Sequence, residues 1–237
     1  MPNWCNNSVV ISGKIKVLKE IQEAIKDKGF LDSVDPTPAF LKTIHTGGAN
    51  AIDRETGEEV RVTKWLQEEV DGKTVNYTLT SEQKKHLKDT YGTDDISWYQ
   101  WNIQERGTKW AECDLDPEGL EEEFQGGPED EDSFFFSFQT AWGPCCPIIV
   151  KTARKWGVGV RLEYFEEAAH FAGTLEYAAP DASGEPELVE EEYFEDLDEM
   201  LECGIDYIVE EANYHKEWMD ECAEDEETEE PPKQETA

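Results

Sequence analysis

The chain of 237 residues carries 56 Asp and Glu against 21 Lys and Arg, which gives a formal net charge of −35. A surface of this charge repels nucleic-acid phosphates and anionic membranes, so direct binding to either is not expected. No apolar run approaches the roughly 18 residues of a membrane span, and the start Met1-Pro2-Asn3-Trp4-Cys5 lacks the features of a signal peptide. We therefore expect a cytoplasmic protein with reduced thiols, in the cytoplasm of the host if a phage encodes it.

The acidic excess is concentrated in one part of the chain. Between Glu185 and Glu230 there are 22 acids and one base, Lys216, for a net charge of −21. With an apolar fraction of 38 %, the rest of the chain has enough apolar side chains for a core. We predict a core domain over residues 1–180, an acidic helical appendage over 181–222 and a disordered acidic tail over 223–237.

The predicted elements begin with a strand at Ser8–Ser12. A helix follows from Ile15 to Gly29, in which isoleucine and leucine recur at helical spacing and Gly29 ends the pattern. From about residue 30 to 95 the sequence is rich in turn signals, with one helix predicted at Ser81–Thr90. We interpret this stretch as an insertion between helix 1 and strand 2 of the core domain.

Regular elements return in the second half of the chain. Strands are predicted in the aromatic segment that begins at Trp98 and at Phe134–Thr140, whose start is apolar on both faces like a central strand. A helix after Pro147 is followed by strands at Val158–Tyr164 and Phe171–Tyr177. This order predicts an α+β fold, a ferredoxin-like split βαβ antiparallel sheet with helices on one face.

The acidic appendage carries its own apolar stripe. From Glu190 onward the sequence predicts one amphipathic helix, interrupted at Gly204. The stripe consists of Phe194, Leu197, Leu201, Ile205, Ile208 and Ala212.

Four blocks of the chain resemble one known family, the YubB ferredoxin-like family of phage and plasmid proteins. The blocks are Met1–Asn7, Trp98–Trp101 with Gly107–Trp110, Phe138–Pro144, and Tyr164 with Phe171-Ala172-Gly173. The resemblance covers about residues 1–15 and 95–178 and implies a ferredoxin-like fold and a mobile-element origin. It implies little about function, because the family is known chiefly as a domain of unknown function. Gly143-Pro144-Cys145 departs from the usual Ser-Pro-Pro, and the acidic appendage lies outside the shared blocks.

The sequence contains no recognisable catalytic or phosphate-binding motif. The four histidines, at positions 45, 86, 170 and 215, are isolated in sequence and are interpreted as surface or structural residues. Cys145 and Cys146 are interpreted as packing residues at a helix start, with a reactive thiol as the alternative. The run Glu129–Asp132 is interpreted as a solvated loop rather than a cation site. We expect no enzyme, metal or cofactor, and an enzyme would require Cys145 or Cys146 against a histidine in a cleft.

One group of aromatic and basic residues has two interpretations. It either builds the core or lines a pocket in which tryptophan rings and two cations bind a nucleotide-like molecule. Its members are Trp98, Trp101, Arg106, Lys109, Trp110 and Trp142.

The acidic appendage also has two interpretations. Its carboxylates either form a solvated outer face or occupy a basic surface of a partner, because like charges in helical rows cost stability that a binding role would explain. The candidate residues are Glu191, Glu195, Glu199, Glu202, Asp206 and Glu210. The sequence favours a non-catalytic accessory protein that binds a basic host protein, such as a defence or nucleic-acid-binding factor. A nucleotide-binding protein is the alternative, and the oligomeric state is left open.

Overall fold

The computed structural model describes the backbone of residues 3–168 and 170–228. In chain order its elements are β1 (Trp4–Lys14), α1 (Ile15–Lys28), α2 (Phe30–Val34), α3 (Ala39–Lys42), β2 (His45–Ile52), β3 (Glu59–Val70), β4 (Lys73–Tyr77), α4 (Ser81–Tyr91), α5 (Trp98–Arg106), β5 (Glu131–Ala141), α6 (Cys146–Trp156), β6 (Gly159–Glu166), β7 (Phe171–Tyr177), β8 (Leu188–Phe194), α7 (Leu197–Glu202) and α8 (Asp206–Thr228). Among these residues, no helix combines the length and the apolarity that crossing a bilayer requires.

The main sheet has five strands in the order β5-β1-β6-β7-β8. β1 pairs antiparallel with both β5 and β6. Because α6 connects β5 to β6, the unit β5–α6–β6 is a split βαβ with β1 inserted between its two strands. The predicted ferredoxin-like α+β fold is therefore confirmed.

A short extended segment lies outside β5, at the position that the second strand takes in a ferredoxin-like sheet. The Cys113 N–H donates to the Gln139 carbonyl at 2.9 Å, and the Gln139 N–H donates back at 2.8 Å. The Asp116 N–H donates to the Ser137 carbonyl at 2.9 Å. The segment makes one isolated bridge in place of a full strand.

The prediction of a strand in the aromatic segment that begins at Trp98 is wrong, because this segment forms the helix α5. The side chain of Gln100 accepts a hydrogen bond from the Ser97 N–H, and the two residues form a capping box at the start of the helix. Gly107 ends the helix in the left-handed conformation. These local capping signals outweigh the strand propensity of the aromatic side chains.

The phenylalanine-rich strand was predicted to be central, but β5 is the last named strand of the sheet and has only the short segment at Cys113 outside it. Phe134, Phe136 and Phe138 point into the main core, where their rings stack with centroids 5.8 Å apart along the strand. Phe135 points to the opposite face and is 55 % exposed. At its start the strand is apolar on both faces, although only the face with Phe134 and Phe136 is covered.

The main core lies between the sheet and the helices α1 and α6. The helical pattern predicted from Ile15 to Gly29 is confirmed, and its isoleucines and Leu18 are fully buried. α6 begins with Cys146-Pro147 and ends at Gly157, also as predicted.

The insertion over residues 30–95 folds around an apolar cluster of its own. It holds α2, α3 and α4 together with a small sheet of β2, β3 and β4. Its cluster consists of Leu41, Ile44, Leu66, Leu79, Leu87, Ile96 and Trp101. Because Trp101 belongs to α5, this cluster joins the insertion to the returning chain.

The single helix predicted from Glu190 onward is wrong. The first part is β8, which pairs with β7 and extends the sheet, and α7 and α8 follow as two helices. Met200 and the stripe residues Ile208 and Ala212 pack on Phe165 and Ala172, on the face opposite α1 and α6. Helices therefore cover both faces, contrary to the prediction of one, because β6 and β7 carry these apolar side chains on the second face.

The predicted disordered tail over residues 223–237 is wrong in its first part, since α8 continues to Thr228. The remainder, residues 229–237, lies outside the described residues.

Replacing a buried residue of α8 will test how tightly this helix holds to the sheet. We expect Ile208→Ala to lower the free energy of unfolding by about 2–5 kcal/mol, because the fully buried side chain leaves a cavity. Tyr214→Ala, at an exposed position of the same helix, is the matched control and should change it by less than about 0.5 kcal/mol. Urea unfolding measures both, and equal losses would show that α8 does not pack as described.

Candidate functional site

The predicted aromatic and basic residues meet only in part, around α5 and the loop that follows it. A cleft of about 250 Å³ lies there, between α5, α2 and the loop. It is lined by Asp32, Thr37, Lys42, Trp98, Asn102, Arg106, Trp110 and Ala111. Three of the six predicted residues therefore line one cleft.

Two of the predicted tryptophans do not line this cleft. Trp101 is only 7 % exposed and belongs to the apolar cluster of the insertion. Trp142 follows β5 and is 53 % exposed, and its N–H donates to the Asn3 carbonyl at 2.9 Å. The core interpretation holds for Trp101, while Trp142 projects from a separate part of the surface.

Arg106 is a structural ion-pair partner in the described structure. Its side chain is 1 % exposed, its Nη2 forms an ion pair with Asp32, and its Nε donates to the Asp35 carbonyl at 2.8 Å. The guanidinium also lies 5.5 Å from the centroid of the Trp101 ring. Because protein groups already occupy its donors, Arg106 is poorly placed to bind an incoming anion.

A second cation completes this network from α6. The Lys151 Nζ lies 2.7 Å from Asp35 Oδ2 and 2.6 Å from Glu105 Oε2. It also donates to the Glu105 carbonyl at 2.8 Å. The two bases therefore tie α2, α5 and α6 together.

The network changes the acidity of Asp32. Burial alone would raise its pKa, but the hydrogen bond and the charge of Arg106, with Lys42 beside it, hold the pKa of this carboxyl below its usual value. Asp32 is therefore ionised at neutral pH and contributes to stability there.

Lys109 is held against aromatic rings. Its Nζ lies 4.4 Å from the centroid of the Trp110 ring and 5.5 Å from that of Tyr99. Its backbone carbonyl accepts a hydrogen bond from the Asn102 side chain at 2.9 Å. Of the two predicted anion contacts, Lys109 is the one without an ion pair among the described residues, but it does not line the cleft.

Two of the blocks that carry the family resemblance contact each other beside this cleft. The Thr108 hydroxyl donates to the Ala141 carbonyl and accepts from the Ala141 N–H, both at 3.1 Å. A Cβ on Gly107 would lie 2.5 Å from the Pro144 carbonyl oxygen, and the φ of Gly107 is +79°. Glycine is therefore required there by both the backbone conformation and the close approach.

The cysteine pair does not form a reactive site. Cys145 is fully buried, and burial, with Cys146 and Cys5 nearby, raises the pKa of its thiol well above the usual value. Burial raises the pKa of Cys146 to about 11. A thiolate, the reactive form, is therefore scarce at neutral pH.

All six residues of the predicted acidic face are exposed, but they do not form one helical row. Glu191 lies on β8 opposite Leu175, on the face of the sheet that carries the main core. Glu199 and Glu202 belong to α7, and Asp206 lies in the first turn of α8, where the helix dipole favours an acid. The predicted rows of like charge along one helix are therefore wrong, except that Asp206 and Glu210 lie four residues apart on α8.

Few carboxylates in the C-terminal acidic region have a basic partner. Glu190 lies 3.3 Å from the Arg161 Nη1, and Glu185 lies 2.6 Å from the Arg154 Nη2. Among the described residues from 187 to 220, Glu190 is the one acid in an ion pair. The acidic charge of this region is left largely uncompensated.

The structure joins two histidines that the sequence separates by 45 positions. The Nε2 atoms of His170 and His215 lie 3.2 Å apart. In the described part of the chain, no three or more His, Cys, Asp or Glu residues form a metal-binding group. This contact could not be predicted from the sequence, because it depends on how α8 packs against the sheet.

A match to a family model supports the fold. Residues 121–203 match a family model described as the ferredoxin-like domain in Api92-like protein. A solved structure, the protein api92 from Yersinia pseudotuberculosis, shares 10 % identity with a TM-score of 0.36, covering 81 % of this chain and 98 % of that one. No curated protein matches. The resemblance to the YubB family and the phage or plasmid origin stay predictions.

Removing the charge of Arg106 will show whether it is structural. We expect Arg106→Met to lower the free energy of unfolding by about 2–4 kcal/mol at pH 7, because Asp32 and the Asp35 carbonyl lose their donor. The pKa of Asp32 is lower in the folded protein than in the unfolded chain. The stability lost by Arg106→Met should therefore be largest above the unfolded pKa of about 3.9. It should become smaller as the pH falls through the folded pKa, where Asp32 loses its charge. Urea unfolding from pH 7 to pH 3 measures it.

The control for Arg106 is an exposed ion pair. Lys85→Met removes the partner of Asp89 on α4 and should cost less than about 1 kcal/mol. A similar loss in both variants would contradict the structural role of Arg106.

Thiol labelling will test the interpretation of the cysteines. At pH 8 we expect iodoacetamide to modify the half-buried Cys203 in the native protein and to leave the fully buried Cys5 and Cys145 unmodified. Peptide mass spectrometry locates the label, and labelling in urea shows that every thiol can react. Labelling of native Cys145 as fast as Cys203 would restore the reactive-thiol alternative.

Proposed function

We propose that this protein is a non-catalytic accessory protein, of mobile-element origin, that binds a basic surface of a host protein. The binding surface is the C-terminal acidic surface, defined as the exposed carboxylates of β8, α7 and α8 between residues 187 and 220. By occupying a surface that normally contacts nucleic-acid phosphates, it would antagonise a defence factor or another nucleic-acid-binding protein. The single observation that supports this proposal most strongly is the uncompensated charge of that surface.

The packing of the C-terminal elements supports the proposal. β8 is hydrogen-bonded to β7, and the buried residues Met200, Ile208 and Ala212 attach α7 and α8 to the sheet. The carboxylates are therefore displayed on a framework with a fixed geometry. Such preorganisation lowers the entropy cost of matching charges on a partner.

The distribution of bases also supports the proposal. Acids elsewhere in the chain often have a basic partner, such as Asp32 with Arg106 and Asp35 with Lys151. The acidic surface has Lys216 as its only base between residues 187 and 220. A surface with this charge attracts a basic protein over long range at low ionic strength.

The alternative function, binding of a nucleotide-like molecule at the tryptophan cleft, has less support. The cleft of about 250 Å³ is smaller than the roughly 300–1,000 Å³ of common ligand sites. Arg106 is engaged by Asp32, and Trp101 is buried in the core. Of the predicted residues, Trp98 and Trp110 are left to contact a ligand in the cleft, and Lys109 lies against Trp110 outside its lining.

Capture of host proteins at two salt concentrations tests the proposal. We expect the full chain to retain one or more basic nucleic-acid-binding proteins at about 50 mM salt and to lose them at about 500 mM, where the Debye length is much shorter. The purified partner should then be displaced from duplex DNA by the full chain, as a fluorescence anisotropy titration would show.

Charge-neutral variants provide the matched control. Glu195→Gln, Glu199→Gln, Glu202→Gln and Glu210→Gln, combined in one protein, should abolish both capture and displacement. Glu121→Gln, Glu122→Gln and Glu123→Gln, in an exposed loop of the core domain, should change neither. Binding that persists at high salt, or that survives the first set of changes, would contradict the proposal.

A further inference from the structure

We propose that His170 and His215 form a binding site for one divalent transition-metal ion of the Zn²⁺ class, which would link α8 to the turn between β6 and β7. Two imidazole nitrogens would be its protein ligands, and water would fill the remaining positions. The proposal does not depend on the proposed function, because it concerns the attachment of α8 and not the exposed carboxylates.

The geometry of the two rings matches a shared ion. Their Nε2 atoms lie 3.2 Å apart, and their ring centroids lie 5.0 Å apart with an angle of 69° between the planes. Two Zn–N bonds of about 2.0–2.1 Å at a tetrahedral angle place the nitrogens about 3.3 Å and the ring centroids roughly 5 Å apart. The two Nε2 atoms share a hydrogen bond in the structure, and their separation is also the one that two ligands of a shared ion would have.

The surroundings fix both imidazoles in this orientation. His215 is 5 % exposed, with its ring stacked on Trp218 at 5.8 Å and set edge-on to Phe165 at 6.0 Å. His170 occupies the left-handed region with φ +52°, a conformation that is uncommon for residues other than glycine. This backbone conformation is energetically unfavourable for histidine, and it occurs at the position that faces α8.

Acidic side chains lie on the same two elements as the histidines. Glu211 lies one turn before His215 on α8, and Glu167 precedes His170 in the turn. Burial raises the pKa of the Glu211 carboxyl, and Glu167 raises it further against a hydrogen bond from Asn6, so the two acids are close enough to interact. Neutral imidazole binds Zn²⁺, Cu²⁺ and Ni²⁺ in preference to Mg²⁺ and Ca²⁺, which distinguishes this site from the carboxylates around it.

Titration of the chelator-stripped full chain with Zn²⁺ in excess Mg²⁺ tests the proposal. Magnesium occupies sites made of carboxylates alone, so calorimetry should detect one remaining equivalent of Zn²⁺. NMR spectra of the histidine side chains should show Nε2 shifts at positions 170 and 215 alone.

Substitutions give the deciding comparison. His170→Asn keeps a residue that tolerates the left-handed conformation, and it should weaken Zn²⁺ binding at least about tenfold. His86→Gln, at an exposed position on α4, should leave the affinity unchanged. The proposal is overturned if no Zn²⁺ binds in excess Mg²⁺, or if His170→Asn binds as tightly as the wild-type chain. Circular dichroism verifies that both variants are folded.

Discussion

The pairing of β1 with both β5 and β6 is the constraint on which the rest of the structure depends. It joins residues 4–14 to residues 131–141 and 159–166, so the chain must leave the sheet after β1 and return to it more than a hundred residues later. The chain between β1 and β5 contains α1, the insertion, α5 and the short segment at Cys113. Its return is fixed by Arg106, which connects α5 to Asp32 and Asp35 just after α1. The Arg106 and Lys151 ion pairs and the apolar cluster around Trp101 therefore hold the insertion, α5 and α6 in one arrangement.

Most of the core domain could be predicted from the sequence, because its elements bury one face with a regular period. The isoleucines of α1 and the alternating side chains of β6 follow directly from the burial of that face. β8 could not be predicted, because its three consecutive glutamates hide the strand pattern and its pairing with β7 supplies the reason for its conformation. The aromatic composition of α5 predicts a strand, but its capping residues, Ser97 and Gly107, favour the helix that forms.

The candidate site was harder to predict than the fold, because its residues depend on contacts between distant parts of the chain. The guanidinium of Arg106 could bind an anionic ligand, but it is already paired with Asp32, which lies 74 residues earlier in the chain. His170 and His215 have no sequence motif and meet only because Ile208 and Ala212 dock α8 on the sheet. Charge, by contrast, is a sum over the chain, so the acidic C-terminal surface could be predicted even where its secondary structure could not.

The position of β8 at the end of the sheet has a consequence for self-association. A terminal strand presents unpaired backbone groups that another copy could pair with, and Leu188 and Val189 make this edge partly apolar. If two copies paired edge to edge, Glu190, Glu191 and Glu192 of each would face like charges, which opposes the pairing. The same glutamates that belong to the proposed binding surface thus oppose growth of the sheet by addition of another strand at this edge.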